Sequence, residues 1–189
     1  MTRKRRYTVI VLLVLAAAVG MSQVGWLLYT GGPYRGQLIE AETRQPLEGA
    51  AVLFYWRQNV YGGAGGPVKY PLNAKEVLTD EEGRFYIPWF VGVSLNPLSF
   101  VLEPSAIFYY PGYGSELAEV NPPDGEPLKD PTVIPMRKLR TREERIRVVG
   151  GLPPGDVPDE KMPNLIRLMN TERETLGLKP VHVQAGGAG

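Results

Sequence analysis

The chain has 189 residues with 21 Lys+Arg against 20 Asp+Glu and a formal net charge of +1. That length suffices for one domain with a real core plus an extension at each end. It has no cysteine, which excludes a disulfide framework, a Cys-ligated zinc site and a Cys nucleophile, while 22 Gly and 18 Pro favour many turns over long helices.

The first thirty residues read as a separate signal or anchor segment. Arg3, Lys4, Arg5 and Arg6 precede an apolar run from Tyr7 to Gly20, and apolar character resumes at Trp26, Leu27, Leu28 and Tyr29 after Ser22-Gln23. Tyr7 to Tyr29 approaches the ~20 residues that span a bilayer, with Trp26 and Tyr29 placed for the far interface. The same stretch also reads as a cleaved signal peptide, with Ala18-Val19-Gly20 as a small-x-small site. Either reading puts the remaining chain in the cell envelope, anchored in the inner membrane and facing the periplasm, or secreted; a cytosolic protein with a buried N-terminal helix is the remaining alternative. Residues 1–29 hold four of the basic and none of the acidic side chains, leaving 17 against 20, a net −3, for the rest. A mildly acidic body has no electrostatic reason to bind nucleic acid.

From Tyr34 the pattern is strand-like, with Leu38 and Ile39 between polar neighbours and a turn at Thr43-Arg44-Gln45-Pro46. Ala50 to Trp56 reads as a strand buried on at least one face. Tyr61-Gly62-Gly63-Ala64-Gly65-Gly66-Pro67 suits no regular element, and the stretch as far as Pro71 reads as an insertion. Lys75 to Leu78 leads into the tight connection Thr79-Asp80-Glu81-Glu82-Gly83, where the glycine answers a need for positive φ. Arg84 to Pro88 reads as a half-buried strand. Trp89 to Pro104 is irregular and apolar, with Pro97 and Pro104 confining any strand to an edge or a break. Ser105 to Tyr110 is a further strand, ended by Pro111-Gly112-Tyr113-Gly114, and Asn121-Pro122-Pro123-Asp124-Gly125 is a turn. Thr132 to Leu139 gives the last strand, placed at an edge by Pro135. Six or seven short strands with frequent turns point to an antiparallel β-sandwich over residues 34–140. Residues 141–158 follow as a linker, in which the basic run Arg137–Arg147 is a solvated strand end. A helix is predicted over 159–178, with Leu165, Ile166, Leu168 and Met169 as its apolar stripe and Gly177 as its cap; residues 179–189 form a disordered tail.

Gly36-x-Leu38…Thr43-x-x-Pro46-Leu47-x-Gly49-Ala50-x-Val52, followed by Thr79-Asp80-x-x-Gly83-x-Phe85, resembles the carboxypeptidase regulatory-like domain. The resemblance covers Tyr34 to Leu139. It implies a mainly β, Ig-related, transthyretin-like sandwich of the bacterial cell-envelope type, flanked here by the N-terminal hydrophobic helix and the short C-terminal one. In such proteins the domain accompanies catalytic or transport modules and supplies no chemistry.

Candidate chemistry is thin. His182 is the single histidine and sits close to the tail, which argues against a zinc peptidase and against Ser-His-Asp catalysis. Gly62, Gly63, Gly65 and Gly66 lack the Lys-Ser/Thr pair of a phosphate loop. Asp80, Glu81 and Glu82 lack the spaced ligands of a calcium loop. No cofactor and no metal is expected. The aromatics carry some functional pull, because Tyr rings on loops hold glycans and peptides. Tyr61, Tyr70 and Tyr113 are the candidate ligand or partner contacts. The expectation is a non-enzymatic, exported envelope protein for interaction or assembly, with a glycan- or peptide-binding module as the alternative and a small hydrolase as the remote third reading.

Overall fold

The computed structural model describes residues 28–61, 66–94, 99–102, 104–114, 116–119, 131–152, 155 and 157–181. The N-terminal segment through Leu27, Gly62–Gly65, the Asn121–Gly125 turn, His182 and the tail lie outside the described residues.

The chain is mainly β. Its strands are β1 (Leu28–Gly31), β2 (Tyr34–Glu40), β3 (Ala51–Tyr61), β4 (Pro67–Leu78), β5 (Arg84–Ile87), β6 (Phe90–Val93), β7 (Ser99–Val101), β8 (Ser105–Tyr109), β9 (Glu116–Glu119) and β10 (Thr132–Met136). Two α-helices follow, α1 (Arg142–Gly150) and α2 (Pro163–Thr175), with a 3-10 turn at Asp159–Lys161 between them. One sheet has the order β10-β2-β5; a larger one has β4-β3-β8-β9 with β7 paired to β3; β1 and β6 form a two-stranded ribbon. The pairings are antiparallel except one, since β10 runs parallel to β2 with Ile134 opposite Leu38. That corrects the all-antiparallel expectation. Pro135 does sit on an edge strand, where its missing N–H costs no ladder bond.

β3 is the spine. Its residues from Ala51 to Trp56 are buried without interruption, and the pleat sends alternate side chains to two different cores. Val52, Phe54 and Trp56 meet Leu38, Phe85, Ile87, Phe108, Ile134 and Met136, so that both larger sheets contribute to this core. Ala51, Leu53 and Tyr55 meet Met162, Leu165, Ile166 and Met169, so α2 covers the opposite face. The apolar stripe read in the sequence therefore docks on the chain's own sheet.

The two motifs meet in one hydrogen-bonded knot. Thr79, 5% exposed, donates its hydroxyl to the Leu47 carbonyl (2.5 Å) and accepts from the Ala50 N–H (2.9 Å). Backbone bonds join Gly49 N–H to Thr79 O and Thr79 N–H to Ala50 O, each at 3.0 Å. Gly83 has φ +71°, and a Cβ there would stand 2.4 Å from the Leu38 carbonyl oxygen. Only glycine permits that approach.

Three further elements depart from the sequence reading. Of the Tyr61–Pro71 insertion, Tyr61 and Pro67 to Pro71 belong to a long pair of strands: β3 and β4 pair from Ala51↔Leu78 to Tyr61↔Pro67, with an irregularity after Trp56. Pro67 and Pro71 are accommodated because β4 is an edge strand. The irregular stretch after Trp89 holds β6 and the short β7. The basic linker contains α1, opened by a capping box in which Thr141 accepts from the Glu144 N–H and the Glu144 carboxylate accepts from the Thr141 N–H.

α2 starts at Pro163 rather than Asp159 because Pro occupies its first turn, where no backbone donor is needed. Met162 offers no side-chain cap. Glu76 of β4 does that work, its carboxylate accepting from the N–H groups of Asn164 (2.8 Å) and Leu165 (2.6 Å). At the other end Glu172, 2% exposed, holds Arg145 of α1 in a bidentate pair at 2.6 and 2.8 Å. Gly177, φ +68°, closes the helix where the sequence put its cap.

Candidate interaction surface

Tyr61, Tyr70 and Tyr113 do not converge. Tyr61 ends β3, 56% exposed, and its ring lies 5.7 Å from that of Phe100, itself 43% exposed. Tyr70 is also exposed, but the register pairs it with Gln58, an even position, so it occupies the other face of the hairpin. Tyr113 is turned inward at the far end of the fold. Its hydroxyl donates to Glu40 (3.1 Å), its ring packs 5.4 Å from Tyr110, and Lys138 Nζ lies 5.9 Å from its centroid. Burial, helped by the Glu40 hydrogen bond and charge, pushes the phenol up to about 12. Tyr113 is a buried packing residue rather than an exposed loop ring.

Around Tyr61 the odd-numbered positions of β3 make a continuous row. The Arg57 guanidinium stacks over Tyr55 at 4.6 Å and donates to its hydroxyl at 3.2 Å. Asn59 comes next, opposite Phe100 in the register, and its Oδ1 is buried with no hydrogen-bond partner among the described residues. Tyr61 and Phe100 then close the row. What the face exposes is the aromatic pair, a surface suited to a ligand or partner that offers an apolar face. Phe100 and Asn59 escaped the sequence reading because β7, only three residues long, was not recognised; pairing across strands is what brings them together.

A second surface lies on the outside of the β10-β2-β5 sheet. Arg35, Gln37, Arg84, Tyr86 and Val133 border an open concavity of about 460 Å³. Tyr86 and Val133 are about half exposed. Arg84 is already committed, bonding Asp80 at 3.2 Å and Glu82 at 2.9 Å.

The carboxylates with displaced acidity all serve local structure. Asp80 is held below the usual range chiefly by the Arg84 N–H (2.8 Å) and then by the Arg84 side chain, which turns the predicted acidic connection into a closed Asx turn. Glu144 is lowered by the N–H groups of Arg140 and Thr141 at its helix start. Glu40 is lowered first by the Thr43 hydroxyl. Among the described residues no three His, Cys, Asp or Glu side chains are grouped closely enough to hold a metal ion. Nor is any described helix long and apolar enough to cross a membrane.

Comparison of the chain with protein-family models returned no match, and a search of curated proteins returned none.

Proposed function

We propose that the chain is an exported, non-enzymatic envelope protein, tethered to the membrane by its N-terminal segment, whose body is a partner-binding module. Residues 34–140 are a transthyretin-like sandwich of the carboxypeptidase regulatory-like type. What supports that family reading is the knot between the two motifs, together with the single core to which both larger sheets contribute. What supports a role outside catalysis is that Asp80, Glu144 and Glu40, whose acidity is displaced, are spent on a turn, a cap and a buried contact.

The observation that carries the interaction role is the exposed Tyr61–Phe100 pair at the end of a hairpin that outruns the core. Aromatic side chains, Tyr among them, are enriched among the anchors of protein interfaces. A photoreactive phenylalanine analogue at position 61, irradiated in intact envelopes, should give a discrete adduct that is missing when the probe is at position 86. Absence of any adduct, or the same pattern from both positions, contradicts the role assigned to Tyr61.

The same exposed rings also suit a second reading, a glycan- or peptide-binding module, since such ligands stack on aromatics. Saturable binding on a glycan or peptide array, lost in Tyr61→Ala, would select it.

A further inference from the structure

The β1–β6 ribbon has one face committed and one uncovered. Its inner side packs on the core through Phe90, whose ring lies 5.1 Å from Trp56 and 5.4 Å from Tyr29. The outer side shows Val91 and Val93, 60% and 55% exposed, preceded by Trp89 at 59%. A half-buried antiparallel ribbon facing water should show polar residues there. Neither Leu28–Gly31 nor Trp89–Ser94 contains a charged residue.

The position of this face says what covers it. In the register Val93 stands opposite Leu28 and Val91 opposite Thr30. Leu28 and Tyr29 end the apolar stretch that resumes at Trp26 and completes the Tyr7–Tyr29 anchor segment. Paired strands are about 5 Å apart and each residue rises about 3.3 Å, so both valines lie within roughly 10 Å of the end of that run. That distance is comparable to the headgroup layer of a bilayer. Trp89 is the residue type that favours this layer. Lys75 lies at the edge of the ribbon, its Nζ 3.4 Å from the Trp89 carbonyl and 5.3 Å from the Phe90 centroid on the inner side, so the outer face itself is apolar.

We propose that Trp89, Val91 and Val93 rest in the interfacial layer of the membrane, so that the ribbon is a docking foot that fixes the module's orientation. The inference depends on the anchored reading of Tyr7–Tyr29. A tether alone would let the body tumble above the bilayer; a tether plus an apolar foot holds it in one pose.

The absence of cysteine makes the test direct. The full chain is reconstituted in phosphatidylcholine–phosphatidylglycerol vesicles as Val91→Cys, Val93→Cys, Tyr86→Cys or Val133→Cys, each carrying a nitroxide. Oxygen, which concentrates in lipid, and a water-soluble nickel complex are used as relaxers. Labels at 91 and 93 should respond to oxygen several-fold more than to nickel, with the opposite preference at 86 and 133. Carbonate-resistant membrane binding with nickel-accessible labels at 91 and 93 overturns the foot and leaves the anchor standing. Release of the chain by carbonate overturns the anchor and the foot with it. Labels at 91 and 93 shielded from both relaxers, or broadened by a second copy, mean that protein covers the face, which also overturns the foot.

Discussion

Thr79 ties the two motif loops together from a buried position. Its hydroxyl satisfies a buried carbonyl and a buried N–H at once, so Thr79→Val keeps the shape and strands both groups. That substitution should cost about 2–3 kcal/mol in urea-induced unfolding, a typical penalty for buried polar groups left unpaired. Gly83→Ala should be at least as damaging, since its Cβ meets the Leu38 carbonyl. Asp80 adds a pH dependence. Its folded-state acidity is displaced downward, so its contribution is present above the ordinary aspartate range near pH 4 and is lost as pH falls through the lower folded value. Stability should therefore decline on acidification below about pH 4, and Asp80→Asn should flatten part of that decline in a pH series of unfolding curves. The turn and Gly83 were legible in the sequence because a tight connection demands glycine for positive φ; the Asp80 and Thr79 hydrogen bonds were not, since they depend on where the turn folds back. Tyr113 was not, because adjacent glycines set backbone freedom without fixing where a side chain points.

The elements divide by whether their stabilising partners are local. α2 announced itself through Pro163, its stripe and Gly177, but its N-terminal cap comes from Glu76, 88 residues away from Asn164, and no local pattern could reveal it. Glu76→Gln should loosen the first turn of α2 at a cost of about 1 kcal/mol, seen as faster amide exchange at Leu165 and Ile166. α1 was legible and passed over: Thr141-x-x-Glu144 is a capping box, masked by the surrounding basic residues that suggested a solvated strand end. The weld between the helices is asymmetric. Glu172 is nearly inaccessible while the Arg145 side chain is 31% exposed. Arg145→Met, which leaves the buried carboxylate alone, should destabilise by about 2–3 kcal/mol, and adding Glu172→Leu should restore much of the loss. β6 and β7 were hidden because short strands carry little periodicity, and because Pro97 and Pro104 made the whole stretch look irregular.

At the scale of the molecule, β3 organises everything else. It is shared by two cores, one filled from both larger sheets and the other capped by α2, and at its end Tyr61 meets Phe100 of β7 in an exposed pair. The mainly β character followed from alternating apolar positions and frequent turns. The parallel docking of β10 on β2 did not, because it depends on how a distant strand returns to an edge. With the ribbon on the bilayer and the knot of Thr79 tying the sheets together, the binding row on β3 would be presented in a fixed pose. Native-state hydrogen exchange on the full chain in vesicles tests this arrangement most directly. The amides of Val52 to Trp56 should exchange last, in one cooperative class with those of Leu165 to Met169, because neither face of β3 opens until α2 leaves. Exchange of β3 as fast as that of the β1–β6 ribbon would contradict it.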